Sequence, residues 1–194
     1  AIIGSSDYDE QNLHLYKRQG DGWEDSPSLV LPTTLYAPFV GENGKIWYRG
    51  SLDGKSDTLL VTNSIDELPK PIDFGECKNT RRTYLHPSSL DPFAVLIDCG
   101  DSWKINYLDN NNPGSKWHKS LSKQFPNSLI SFGWTEDGKK AFVSVRSSTN
   151  PGDFYLLNTE KKSINYIGSS NQSLDLELLS ESKLFMFTAR DGKQ

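Results

Sequence analysis

The chain has 194 residues and a net charge of −4, with 35% hydrophobic, 24% charged and 11% aromatic residues, which allows one large domain or two small ones. Five Trp and eight Tyr beside a single Met favour pleated strands over helices. Nucleic-acid binding needs a concentrated positive face, whereas Arg81-Arg82, Lys139-Lys140 and Lys161-Lys162 are isolated pairs, and no apolar run approaches the roughly 20 residues of a membrane-crossing helix, so neither nucleic acid nor membrane is an expected partner.

In chain order, Ile2-Ile3-Gly4-Ser5-Ser6-Asp7 reads as a strand running into a turn, as in the middle of a domain rather than at a native start. No signal-peptide pattern opens the chain, an absence that carries no weight beside such an opening. Leu13–Lys17 is the next expected strand, and a weaker one spans Pro27–Leu31.

Three segments then share one layout. The first runs from Leu35–Val40 through the Asn43-Gly44 turn to Ile46–Arg49, passes Asp53-Gly54, reaches Thr58–Asn63 and ends in a weak strand at Lys70–Phe74. The second has Thr83–His86, a turn at Ser89–Pro92, then Phe93–Asp98, Lys104–Asp109 and a fourth strand expected at Trp117–Leu121. The third has Leu129–Trp134, the Asp137-Gly138 turn, then Ala141–Val145, Asp153–Asn158 and Ser163–Ile167. Asn-Gly and Asp-Gly between apolar runs are strong hairpin signals, because both central turn positions take positive φ.

The spacing is regular. Gly44 to Pro92 is 48 residues, Pro92 to Gly138 is 46, Leu15 to Leu60 is 45, Leu60 to Tyr107 is 47 and Tyr107 to Leu156 is 49. A period of roughly 40 to 50 residues with four strands per unit is the β-propeller signature. The expected fold class is all-β, a partial β-propeller of about three and a half four-stranded blades. The blades fall near residues 1–33, 34–78, 79–126 and 127–170. An open arc exposes apolar blade faces at its ends, so self-association is expected, in a two-fold dimer. After Gly168 the pattern changes: Ser173–Leu179 reads as a short helical turn, and Lys183–Thr188 as a strand delivered to the Arg190-Asp191-Gly192 turn, as though the chain were cut there.

Each residue type able to carry chemistry also has a plain structural role. Cys77 and Cys99 fit neither a metal knuckle nor a CxxC pair. They are two free thiols, one in a loop and one in a buried strand, or a disulfide joining neighbouring repeats in an oxidising compartment; spacing does not choose. His14, His86 and His118 lie in different repeats, with no recognisable Ser and Asp arrangement. Ser169 and Ser170 follow Gly168 but lack the second Gly of a GxSxG elbow, and no such elbow occurs, so no catalytic residue is expected.

The acids Asp7, Asp9 and Glu10, and Asp21, Glu24 and Asp25, do not follow a calcium-loop spacing, and Asp109-Asn110-Asn111-Asn112-Pro113-Gly114 reads as a hairpin tip. No metal or cofactor is therefore expected. Trp23, Trp47, Trp103, Trp117 and Trp134 are read as blade packing in preference to a sugar-stacking surface. Arg49, Arg81 and Arg146 fall on inner or second strands, where they could meet a peptide carboxylate or backbone.

From Phe132 onward an ordered set of stretches stands out: Trp134–Lys140, Val143–Gly152, Phe154–Leu157 and Phe187–Gly192. Over this last third the chain resembles the prolyl oligopeptidase family of serine peptidases, nearest to its dipeptidyl-peptidase and acylaminoacyl-peptidase branch. The resemblance implies that 171–194 is a linker and first strand leading into an α/β-hydrolase domain that lies after Gln194. It also implies a non-catalytic propeller that gates peptide substrates for that domain, with no activity alone. The rivals are a free-standing propeller scaffold for protein–protein interaction and a carbohydrate-binding module. The compartment is left open.

Overall fold

The computed structural model describes residues 2–7, 12–25, 31–32, 35, 38–52, 54, 56–77, 79–100, 102–183, 185 and 187–192, and among them the chain forms fifteen strands, most of them apolar runs between tight turns, and one α-helix. The strands make four antiparallel sheets, and the chain divides into two compact units, 1–116 and 117–194.

The first unit holds three sheets. The first sheet comprises β1 (Ile2–Asp7), β2 (Asn12–Gln19), β3 (Gly22–Asp25) and β4 (Leu31–Pro32), with β2 pairing all three others. The second is a meander of β5 (Phe39–Val40), β6 (Ile46–Gly50), β7 (Thr58–Thr62) and β8 (Lys70–Pro71). The third has three strands, β9 (Asn79–Leu85), β10 (Pro92–Asp98) and β11 (Trp103–Tyr107), with β10 central and Phe93–Ile97 buried without a break. Such an unbroken apolar run belongs to a strand covered on both faces.

Side-chain alternation decides how these sheets stack. On β6, Ile46 and Tyr48 join Leu60 in a cluster with Leu13, Leu15 and Leu31 of the first sheet. Trp47, which points the other way, joins Leu59 in a cluster with Val95 and Ile97 of the third. The second sheet is thus buried on both faces between its neighbours in sequence. Burial pushes the Tyr48 hydroxyl up to about 12. A polar seam accompanies the apolar one: the Arg49 guanidinium donates to the Thr80 carbonyl at 3.1 Å and to Asp57 at 3.4 Å, and the Thr80 amide donates to the Asp57 carbonyl at 2.6 Å.

Cys77, in the connection from β8 to β9, is disulfide-bonded to Cys99 at the end of β10, with Cα atoms 4.8 Å apart. Of the two readings the spacing left open, the disulfide is the one observed. Both half-cystines flank the last β9–β10 pair, Asn79 and Asp98, and Cys77 also packs on the Trp47–Leu59–Val95–Ile97 cluster. In the chain-entropy picture, a bridge across 22 residues stabilises the fold by about 3 kcal/mol.

The strand expected at Trp117–Leu121 is instead the middle of helix α1 (Pro113–Gln124), which opens in the first unit and closes in the second. Asp109–Gly114, expected as a hairpin tip, is its N-terminal cap. The Gly114 amide donates to Asn112 Oδ1 at 2.8 Å, and Pro113 occupies the first helical position, where its missing N–H costs nothing. His118 and Leu121 are buried while Lys116, Ser120, Lys123 and Gln124 are exposed, a period of 3.6 and not of 2. Gly114 itself lies close against β10, since a Cβ there would lie 2.6 Å from the Phe93 ring. Gly114→Ala is therefore expected to lose a net 1–2 kcal/mol, roughly, after its gain in helix propensity. The urea midpoint should fall with its slope unchanged; an unmoved midpoint would show that Phe93 gives way freely.

The second unit carries the fourth sheet, a meander of β12 (Leu129–Trp134), β13 (Lys140–Arg146), β14 (Asp153–Asn158) and β15 (Ser163–Ser169). Ile130, Ala141, Val143, Val145 and Leu157 form its core with Leu121, flanked by Trp117, Phe125, Phe132 and Trp134. The opposite face is open: Phe142 and Leu156 are 46% and 40% exposed, and Phe142 stacks on Phe154 with centroids 5.2 Å apart. Gly138 closes the β12–β13 turn at φ 67° and donates to the Thr135 carbonyl, where a side chain would be strained.

Beyond β15 lies one turn of 3₁₀-helix, Leu176–Leu178, capped by Asp175 Oδ1, which accepts from the Glu177 amide. Lys183, Phe185, Phe187 and Thr188 belong to no strand, contrary to the expectation for that segment, in which Leu184 and Met186 lie outside the described residues. The Gly192 amide closes a turn on the Ala189 carbonyl.

Candidate functional site

The three histidines are placed on three separate elements. His14 is half-buried on β2. His86 sits in the β9–β10 turn, where its Nδ1 meets Ser88 Oγ at 3.0 Å and the Ser89 amide at 3.4 Å, a local bracket that shapes the turn. No carboxylate among the described residues hydrogen-bonds that ring, so the pair lacks the third member that would orient it as a base. His118 is buried in α1, with Ser122 Oγ 3.3 Å from Nδ1 and the Phe132 ring edge-on at 6.0 Å. Burial pulls its pKa down to about 4, so it is neutral at ordinary pH.

Ser169 pairs with Asp153 at the end of β15, and the Ser170 amide donates to the Gly152 carbonyl at 2.7 Å. Both serve the edge of the fourth sheet.

Of the arginines expected to face a peptide, Arg49 and Arg81 have partners within the fold. Arg49 is held in the seam to Asp57 and Thr80. Arg81 grips Asp98 through Nη2 at 2.6 Å and Nε at 2.7 Å. The Gly100 amide and then Arg81 hold the Asp98 carboxyl below the usual range. Arg146 is exposed at the end of β13, beside Gly152.

Of the tryptophans, Trp47 is buried and Trp117 and Trp134 are half-buried in packing roles, while Trp23 and Trp103 stand 43% and 60% exposed on β3 and β11. Glu24 and Asp25 are consecutive on β3, hence on opposite faces, and no group of three His, Cys, Asp or Glu among the described residues could hold a metal. Asp9 and Glu10 lie outside the described residues.

Two open hollows border these elements. One, about 360 Å³, is lined by Asn150, Asp153, Tyr166, Asn171 and Gln172 among others. The other, about 560 Å³, surrounds the disulfide with Ser56, Glu76, Asn79, Asp98 and Lys104. The Arg49–Asp57–Thr80 seam escapes sequence reading because Arg49 and Thr80 are 31 positions apart. The disulfide had a readable signal: extending β9 back to Asn79 places both cysteines at one end of the same ladder. The chain matches no protein-family model, and no curated protein shows significant similarity to it.

Proposed function

We propose that this chain is the non-catalytic, substrate-gating part of a serine peptidase of the prolyl oligopeptidase type, built as successive propeller blades. The observation that carries this reading is the second sheet, buried on both faces by sheets before and after it in sequence. Sheets of three or four antiparallel strands spaced by 45 to 49 residues, the second stacked between the first and the third, support blade packing. The open Phe142–Phe154–Leu156 face of the fourth sheet suits one more packed layer. The role in gating comes from the resemblance of the Trp134–Gly152 and Phe187–Gly192 stretches.

A fluorophosphonate probe, which tags activated serines, tests the proposal. The natural gene product should be larger than the 21.8 kDa of this chain and should label, whereas residues 1–194 alone should not. A natural product of this size that stays unlabelled would overturn it in favour of a free-standing scaffold.

A further inference from the structure

We propose that this protein matures in an oxidising compartment, and that Cys77–Cys99 is a solvent-reachable redox staple on the joint between its second and third sheets. Three observations converge on that bond. It lies where the chain leaves β8 and enters β9, immediately beyond the last ladder pair, so it fixes the crossover between two sheets. Cys77 packs against Trp47 and Leu59 from one sheet and Val95 and Ile97 from the other, so the bond stands against the apolar seam itself. Its outer side opens into the 560 Å³ hollow lined by Ser56, Glu76, Asn79, Asp98, Ser102 and Lys104, polar groups that leave the sulfurs within reach of a solute.

Polar ties accompany the apolar Trp47–Leu59–Val95–Ile97 seam beside the bond. The Thr80 amide donates to the Asp57 carbonyl, and Arg49 donates to the Thr80 carbonyl and the Asp57 carboxylate; next to the joint, the Ile72 amide ties the end of β8 to β7 through the Leu59 carbonyl. Losing the cross-link lets the β8–β9 connection open while the second unit keeps its own core.

Formation is an exchange with a disulfide-bearing oxidant of the thiol–disulfide oxidoreductase class. One cysteine thiolate attacks the oxidant's S–S bond and releases one of its sulfurs as a thiol. The second cysteine thiolate then attacks the mixed disulfide and releases the other. Two protein thiols become one disulfide and the oxidant becomes a dithiol. A reducing cytosol would run the exchange backwards.

The test begins with the natural gene product, quenched in acid and alkylated with a maleimide in denaturant. In the proteolytic peptides that carry Cys77 and Cys99, no adduct is expected before reduction and one on each cysteine after it. The purified chain should lose about 10 °C in Tm on adding a dithiol reductant. Amide exchange should quicken at Thr80, Ile72 and Cys99 and stay unchanged at Val143 and Leu157. The Cys77→Ala/Cys99→Ala double variant should melt with the reduced protein and ignore the reductant. Adducts on both Cys77 and Cys99 of the acid-quenched product, or a Tm indifferent to reductant, would overturn the proposal; neither needs the variant to fold.

Discussion

Leu59→Ala is expected to cost about 3 kcal/mol, close to the largest effect of any single truncation here. Leu59 is fully buried, on the face of β7 that meets Val95 and Ile97, so its loss removes transfer energy and leaves a cavity between two sheets rather than within one. Stability of a domain is of order 5–15 kcal/mol, so this is a large share of the total. Leu68→Ala, at a site 55% exposed, should change stability by less than about 0.5 kcal/mol. The contact across sheets is read by a double-mutant cycle. Leu59→Ala and Val95→Ala should couple by roughly 0.5 kcal/mol or more. Purely additive losses would mean that the two sheets do not share a packed interface.

Acidification should remove about 3 kcal/mol through His118 alone, most of it between about pH 6.5 and about 4. The sign follows from proton counting. In that window the unfolded imidazole binds a proton and the buried native one does not, so stability rises with pH and is greatest above the unfolded value. Asp98, whose carboxyl is held low by the Gly100 amide and Arg81, loses its contribution only at pH below the ordinary Asp range, which separates the two effects. Urea titrations at about pH 7 and about pH 4.5 should differ by 2–3 kcal/mol, roughly, in the natural chain, and by little in His118→Phe, which keeps a ring beside Phe132. A variant retaining the full pH slope would place the acid-sensitive group elsewhere.

Strands with a continuous or strictly alternating apolar pattern between Gly-containing turns were readable almost to the residue. β12 and β14 fall where expected, and β10 begins one residue earlier. Local chemistry suffices there, because the turn residues and the period of 2 agree. Helix α1 was misread because Trp117 and Leu121 suit a short strand as well as a helix. The Asn112-Pro113 cap was the available signal, and burial of Leu121 against the fourth sheet settles the outcome. β3 was not anticipated, since all four of its residues are exposed and no apolar pattern marks it.

No catalytic constellation was legible in the sequence, and the fold sets His14 on β2, His86 in the β9–β10 turn and His118 in α1. Of the arginines offered as peptide contacts, Arg49 and Arg81 bond within the fold while Arg146 is exposed. A guanidinium on a strand can face a ligand or a neighbouring strand, and composition does not distinguish them.

Sequence alone carried the all-β character, most strand positions and the repeat spacing, because each depends on neighbours within a few residues along the chain. Whether Cys77 and Cys99 join, which face of β6 meets which sheet and where Arg49 reaches came only with the folded chain. Those features bring together residues 22 and 31 positions apart, and no short-range pattern encodes a contact made by packing two sheets together.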